Sequence, residues 1–190
     1  MIKNLKKQMQ INIIYLTIIS ICFISCKENK AEKVLDFRIN YPSTLILIKS
    51  TQKKDVNNNQ NEKDKNLKFI CVVEIGCDEC IKGMNTWSSF VDSLKALEIN
   101  TTIICCTNDT SYLSNYILPK LETKATFLAD KKVDFIKTNI DLYSIPDVNV
   151  SFLLVDENNQ IQMYGDPFLN NSTKQIYWYV INKFQKENTL

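Results

Sequence analysis

The sequence predicts an α/β fold, with a central mixed β-sheet and helices on both faces. Three observations carry this. Short apolar, β-branched runs recur from residue 67 onward, separated by segments whose apolar residues step by three and four. Two of these runs, 148–155 and 161–164, are separated only by the polar turn 156–160, which reads as a hairpin. A last helix-like segment, 175–184, comes after the hairpin. Strands alternating with helices, then a hairpin and a closing helix, bury their apolar faces best as helices packed on both sides of one sheet.

At the N-terminus, residues 1–10 are basic and polar, and 11–25, INIIYLTIISICFIS, are apolar. A membrane span needs about 20 apolar residues, so this run is short for one. A charged start leading into a brief apolar core has the form of a secretory signal. Residues 26–33 are polar and read as a tether to a single domain, 34–190. Within that domain, 45–48 is strand-like. Residues 51–66, TQKKDVNNNQNEKDKN, hold almost nothing to bury and predict a mobile loop.

Residues 67–75 form the next strand, which runs directly into IGCDEC. Ile81, Met84, Trp87, Val91, Leu94 and Leu97 then mark one face of a helix, widened by Phe90. Residues 101–106 read as a second buried strand. Residues 111–118 are helix-like and stop before Pro119. Two short apolar pieces, 126–129 and 133–136, precede the hairpin. Gly165-Asp166-Pro167 breaks the chain, and the final helix is expected to turn Ile176, Tyr179, Val180 and Phe184 inward.

Charge and composition exclude several function classes. The 190 residues carry 23 Lys and Arg against 21 Asp and Glu, a formal net charge of +2. Lys3, Lys6 and Lys7 account for that excess; without them 20 basic residues face 21 acidic ones. Arg38 is the only arginine, and there is no basic stripe, so nucleic acid is not an expected partner. The chain has no histidine. That removes Ser-His-Asp and Cys-His catalysis, imidazole metal ligands and imidazole proton shuttles.

Seven cysteines remain as candidate chemistry. Cys22 would leave with the signal. Cys71, Cys105 and Cys106 lie inside predicted strands, where a free cysteine ordinarily packs as a small apolar residue. Strand alternation sends the adjacent Cys105 and Cys106 to opposite faces, so they do not easily bridge each other, while one of them can neighbour Cys71 across the sheet, where a bridge is the alternative to core packing. A structural zinc site prefers two separated Cys-x-x-Cys pairs. The second pair here is adjacent and within a strand, so no metal is expected, and no bound cofactor.

Cys77 and Cys80 are different. They straddle a strand-to-helix junction, with Cys77 at the helix start and Cys80 about one turn on. Unpaired N–H groups and the positive end of the dipole favour a thiolate there. Cys77 is therefore the candidate nucleophile and Cys80 the resolving thiol. Asp78 and Glu79 oppose the effect. At about 7 Å each carboxylate disfavours the thiolate by roughly 0.6 kcal/mol in water and 2.4 kcal/mol at an effective dielectric of 20. The dipole contributes about 0.3–2 kcal/mol. The acids can cancel it, so Cys77 is expected to titrate closer to a free thiol than a strong oxidase does. That favours a reductase or isomerase.

Two resemblances add to this reading. Phe23-Ile24-Ser25-Cys26 resembles the lipobox of bacterial lipoproteins, which implies that Cys26 is acylated and anchors the mature chain in the cell envelope. Residues from about 67 to 184 resemble the thioredoxin superfamily, particularly TlpA-like envelope lipoproteins. FICVVEIGCDEC at 69–80, TTIICC at 101–106 and SFLLVDENNQIQMYGDP at 151–167 carry the likeness. It implies a thioredoxin-like fold and thiol–disulfide exchange at Cys77 and Cys80. The implied partners are protein thiols and disulfides or an upstream reductase. The sequence departs from the pattern in three places. Gly76 replaces the aromatic residue before the first cysteine, Val150 stands where a cis-proline is expected, and Cys71 occupies the place of a buried acid. Val150 is expected to take a trans bond. Glu74, on the opposite strand face from Cys71, is the remaining candidate proton acceptor. The departures keep open an alternative: a non-catalytic protein-binding lipoprotein with a fixed Cys77–Cys80 disulfide.

Overall fold

A computed structural model describes residues 30–49, 66–75 and 78–188. The signal-like segment, Cys26, most of the polar loop, Gly76 and Cys77 lie outside the described residues. So do the side chains of Asp78, Glu79 and Cys80.

In chain order the elements are α1 (Lys30–Leu35), β1 (Ile46–Lys49), β2 (Lys68–Glu74), α2 (Asp78–Thr86), α3 (Ser88–Ala96) and β3 (Asn100–Cys106). Next is a composite helical stretch: α4 (Thr110–Tyr112), a π turn (Leu113–Ile117) and a 3-10 turn (Leu118–Lys120). Then come β4 (Thr126–Asp130), α5 (Asp134–Thr138), α6 (Ile140–Tyr143), β5 (Phe152–Val155), β6 (Ile161–Tyr164) and α7 (Asn171–Asn188). The described strands form one mixed sheet in the order β1-β4-β3-β2-β5-β6. β2, β3 and β4 are mutually parallel, while β1, β5 and β6 run antiparallel to their neighbours. This is the predicted α/β architecture.

Side-chain alternation in β2 and β3 explains the two cores. Phe69, Cys71, Ile103 and Cys105 point to one face, where they meet Met84, Phe90, Leu94, Tyr177 and Ile181 of α2, α3 and α7. Ile70, Val72 and Ile104 point to the other, against Val34, Phe135 and Leu142 of α1, α5 and α6. Strands covered on both faces need apolar residues at nearly every position, and FICVV and IICC meet that need. Phe69 ties the first core together through edge contacts with Phe90 at 5.5 Å and Tyr177 at 5.8 Å. The Tyr177 hydroxyl donates to the Gly165 carbonyl at 2.8 Å, pinning α7 to the end of β6. Gly165 has a φ of 101°, a region that favours glycine.

Several expected elements differ in detail. The segment read as a tether ends in α1, whose Val34 is fully buried. The face from 81 to 97 belongs to two helices with Trp87 between them. The Trp87 N–H donates to the Met84 carbonyl three residues back, while Thr86 and Ser88 hydroxyls donate to the carbonyls of Gly83 and Asn85. Such back-bonding bends helices. The Thr123 hydroxyl also donates to the Met84 carbonyl at 2.8 Å, so a distant segment holds the bend. Leu97 lies past the end of α3 and is exposed. Pro119 does not stop the helical path, because it occupies the first turn of a 3-10 segment where its missing N–H costs nothing. The strand expected over 148–155 is only four residues long, as Val150 turns into the second core.

The closing helix is longer than expected and rotated. Tyr177 and Ile181 are fully buried, and Trp178, Val180 and Phe184 flank them. Ile176 and Tyr179, expected inward, are 49% and 69% exposed. The helix begins at Asn171, and the burial of Tyr177 under the Gly165 bend sets its rotation. Among the described residues, no helix is long and apolar enough to cross a membrane.

Asp130, at the end of β4, is 1% exposed. Its carboxylate accepts from the N–H groups of Lys132 (3.3 Å), Asp134 (2.9 Å) and Phe135 (2.8 Å). It thereby caps α5 from three residues before its flanking residue, Val133, which has a left-handed φ of 56°. Replacing Asp130 with Ala strands these donors and is expected to cost about 2–3 kcal/mol in urea unfolding. Asp92→Ala, which breaks only an exposed 3.9 Å pair with Lys124, should cost less than about 0.5 kcal/mol. Equal losses would contradict the capping role.

Candidate active site

β2 is the central strand from which the site is built. It is paired on both sides, in parallel with β3 and antiparallel with β5. The Ile75 N–H still reaches the Cys106 carbonyl at 3.3 Å, one residue past the strand. α2 begins at Asp78. Strand and helix are therefore joined by three residues, Ile75-Gly76-Cys77, and Cys77 immediately precedes the first helical residue. Cys80 falls in the first turn of α2. The predicted junction is present, although the thiol of Cys77 lies outside the described residues.

The other candidates separate cleanly. Cys71 and Cys105 are fully buried free thiols in the first core. Burial, and then the neighbouring Cys105 and Asp166, hold the Cys71 thiol well above the ordinary range. Burial, with Cys106 second, pushes Cys105 up to about 12. Both act as small apolar residues, and Cys71 offers no charge where the resemblance implies a buried acid. Glu74 is exposed, at the end of β2 and on the face opposite Cys71.

Cys106 sits at the margin of the second core. It is a half-buried free thiol, flanked in register by Glu74 on β2 and Asp130 on β4. Burial, then Asp130, then Glu74, push its thiol up to about 11. These three residues end the three parallel strands and border a cavity of about 540 Å³ that also touches Ile75, Ile136, Tyr143 and Ser151. The Tyr143 hydroxyl is buried, with no hydrogen-bond partner among the described residues. Desolvation, with smaller contributions from Cys106 and Cys71, raises it above the ordinary phenol range.

Sequence reasoning did not find this cavity. Its one signal was that each parallel apolar run ends in a polar or thiol residue, and register alone aligns those ends. Among the described residues, no group of cysteines and carboxylates is arranged to hold a metal ion.

No family model and no curated protein matches the chain. Solved structures do. The chain is similar to a thioredoxin-like protein solved in its oxidised form, with a TM-score of 0.51 and 11% identity, over 78% of this chain and 97% of that one. It also matches the thioredoxin domain of a thiol-disulfide oxidoreductase from Bacteroides vulgatus, with a TM-score of 0.45, 15% identity, and coverage of 76% and 99%. A thiol:disulfide interchange protein from Bacteroides sp. matches with a TM-score of 0.45 and 14% identity over 62% and 75%. The first of these likenesses shows the fold, which is thioredoxin-like.

The raised thiols and phenols set a pH dependence. Their folded forms keep protons that the unfolded chain loses, so stability is intact below the unfolded thiol range near pH 8.5 and falls as pH rises toward 11–12. Under reducing conditions, the urea midpoint should be level to about pH 8 and decline above it. Cys105→Val should decline less steeply, since one buried titrating thiol accounts for up to about 1.4 kcal/mol per pH unit. A level midpoint through pH 10.5 would contradict the assignment.

Proposed function

From a thioredoxin-like fold with a Cys-x-x-Cys motif at its strand-to-helix junction, we propose a TlpA-like thiol–disulfide oxidoreductase, held at the bacterial cell envelope by a lipid on Cys26. The start of α2 carries this reading, since it begins one residue after Cys77 and has Cys80 in its first turn. N–H groups without intrahelical partners gather at a helix start and stabilise a neighbouring thiolate.

In the reducing direction, the Cys77 thiolate attacks one sulfur of a substrate disulfide. That S–S bond breaks, a Cys77–substrate disulfide forms, and the displaced substrate sulfur leaves as a thiolate and is protonated. Cys80, on losing its proton, attacks the Cys77 sulfur. The second substrate thiol is released and Cys77–Cys80 becomes a disulfide. Two electrons pass to the substrate, and the thiols of an upstream reductase restore the dithiol. Asp78 and Glu79 in the first turn weaken thiolate stabilisation at Cys77, which supports reduction or isomerisation over oxidation.

A second reading rests on Val150. It is 4% exposed and packs in the second core, and no cis peptide bond occurs among the described residues. A loop committed to packing fits a binding protein with a fixed Cys77–Cys80 bridge.

The readings diverge in cells. Under the first, Cys80→Ser accumulates mixed disulfides that run as reducible adducts and fractionate with membranes. Cys77→Ser abolishes them, and Cys26→Ser moves them to the soluble fraction. If Cys80→Ser yields no adducts above the Cys77→Ser background, the catalytic reading fails. Membrane retention of the Cys26→Ser protein would remove the lipid anchor.

A further inference from the structure

Building on the oxidoreductase reading, we infer that the cavity at the carboxyl ends of β2, β3 and β4 is a docking pocket for the substrate polypeptide. It takes a cationic side chain lying close to the reacting cysteine of that polypeptide.

Position is the first argument. Ligands of open α/β sheets bind beyond the carboxyl ends of the strands, and this cavity lies at three such ends. Ile75 on its wall is two residues before Cys77, and two peptide units span at most about 7 Å. Polarity is the second. A buried hydroxyl without a partner is uncommon and needs an explanation. Tyr143 lines the cavity, and its oxygen is buried with no hydrogen-bond partner among the described residues. A phenol oxygen can accept from an ammonium or guanidinium N–H.

Charge is the third. Two carboxylates, Glu74 and Asp130, border the cavity against one ammonium, Lys131. The Asp130 oxygens already accept from three backbone N–H groups. Glu74 is exposed at the end of β2, and no ion-pair partner for it occurs among the described residues. Shape is the fourth. At about 540 Å³ the cavity matches the size of small-ligand pockets. The apolar Val72, Ile75 and Ile136 suit the methylene stem of a lysine or arginine. Cys106 takes no part in the exchange, and its raised thiol alkylates only slowly. Its protonated thiol on the cavity wall is a built-in reporter of occupancy.

The test separates docking from exchange. The full-length chain carrying Cys77→Ser and Cys80→Ser is titrated by calorimetry with peptides of one sequence. Serine replaces the peptide cysteine, and Lys, norleucine or Glu stands two residues before or after it. The Lys peptides should bind at least tenfold tighter than the Glu peptides. At saturation they should slow alkylation of Cys106 at pH 9, read residue by residue by mass spectrometry, at least threefold. Glu74→Gln and Tyr143→Phe should each reduce the Lys-to-norleucine affinity ratio at least threefold. The pocket is overturned if no peptide binds, if the three bind alike, or if Lys peptides bind without shielding Cys106. An unchanged ratio in Glu74→Gln overturns the charge argument. Reduction of a small disulfide, oxidised glutathione, by the unsubstituted chain checks the oxidoreductase reading separately.

Discussion

The double pairing of β2 is the constraint on which the rest of the structure depends. This strand shares hydrogen bonds with β3 on one side and β5 on the other, so its backbone cannot shift register without breaking two ladders. A slip of one residue would also exchange Phe69 and Cys71 with Ile70 and Val72, moving both cores at once. The end of β2 is therefore placed firmly in the molecule. The Cys-x-x-Cys motif follows that end in sequence, with Cys77 three residues after Glu74.

The same constraint organises the carboxyl end of the sheet. Parallel registry between β2, β3 and β4 brings Glu74, Cys106 and Asp130 into one row. Each plays a different part. Asp130 is committed to capping α5, which is how a carboxylate 1% exposed is satisfied. Cys106 remains a protonated thiol. Glu74 stands at the solvent edge. The left-handed backbone at Val133, unusual for a β-branched residue, is held by the Asp130 bonds to the residues around it. The cavity is thus a consequence of strand register and one buried cap.

How much of this was legible in the sequence depended on whether the signal was local. The sheet and its helices were, because FICVVE, TTIICC and FLLV carry strand character in every residue and IGCDEC sits where strand character stops. The opposite orientations of Cys105 and Cys106 and of Cys71 and Glu74 came from a period of two. The rotation of α7 was not legible. Ile176 and Tyr179 are as apolar as Tyr177 and Ile181, and tertiary contacts, the Tyr177 hydroxyl on the Gly165 carbonyl and its ring against Phe69 and Phe90, select the buried face. The bend at Trp87 was hidden for the same reason, since Thr123, 39 residues beyond the Met84 carbonyl it binds, helps to hold it. The row of strand-end residues needed registry, which a single sequence does not state.

Under the proposed function, helix-start stabilisation and the repulsion of two acids are expected to meet at similar magnitude, and the motif is then proposed to work as a reversible couple. The most direct measurement is its reduction potential. The protein is equilibrated in glutathione or dithiothreitol buffers of graded potential, and the Cys77–Cys80 disulfide is quantified by mass spectrometry. The account predicts a two-electron transition at a potential more positive than about −300 mV. A transition below that value, or cysteines that never pair with each other, would contradict it.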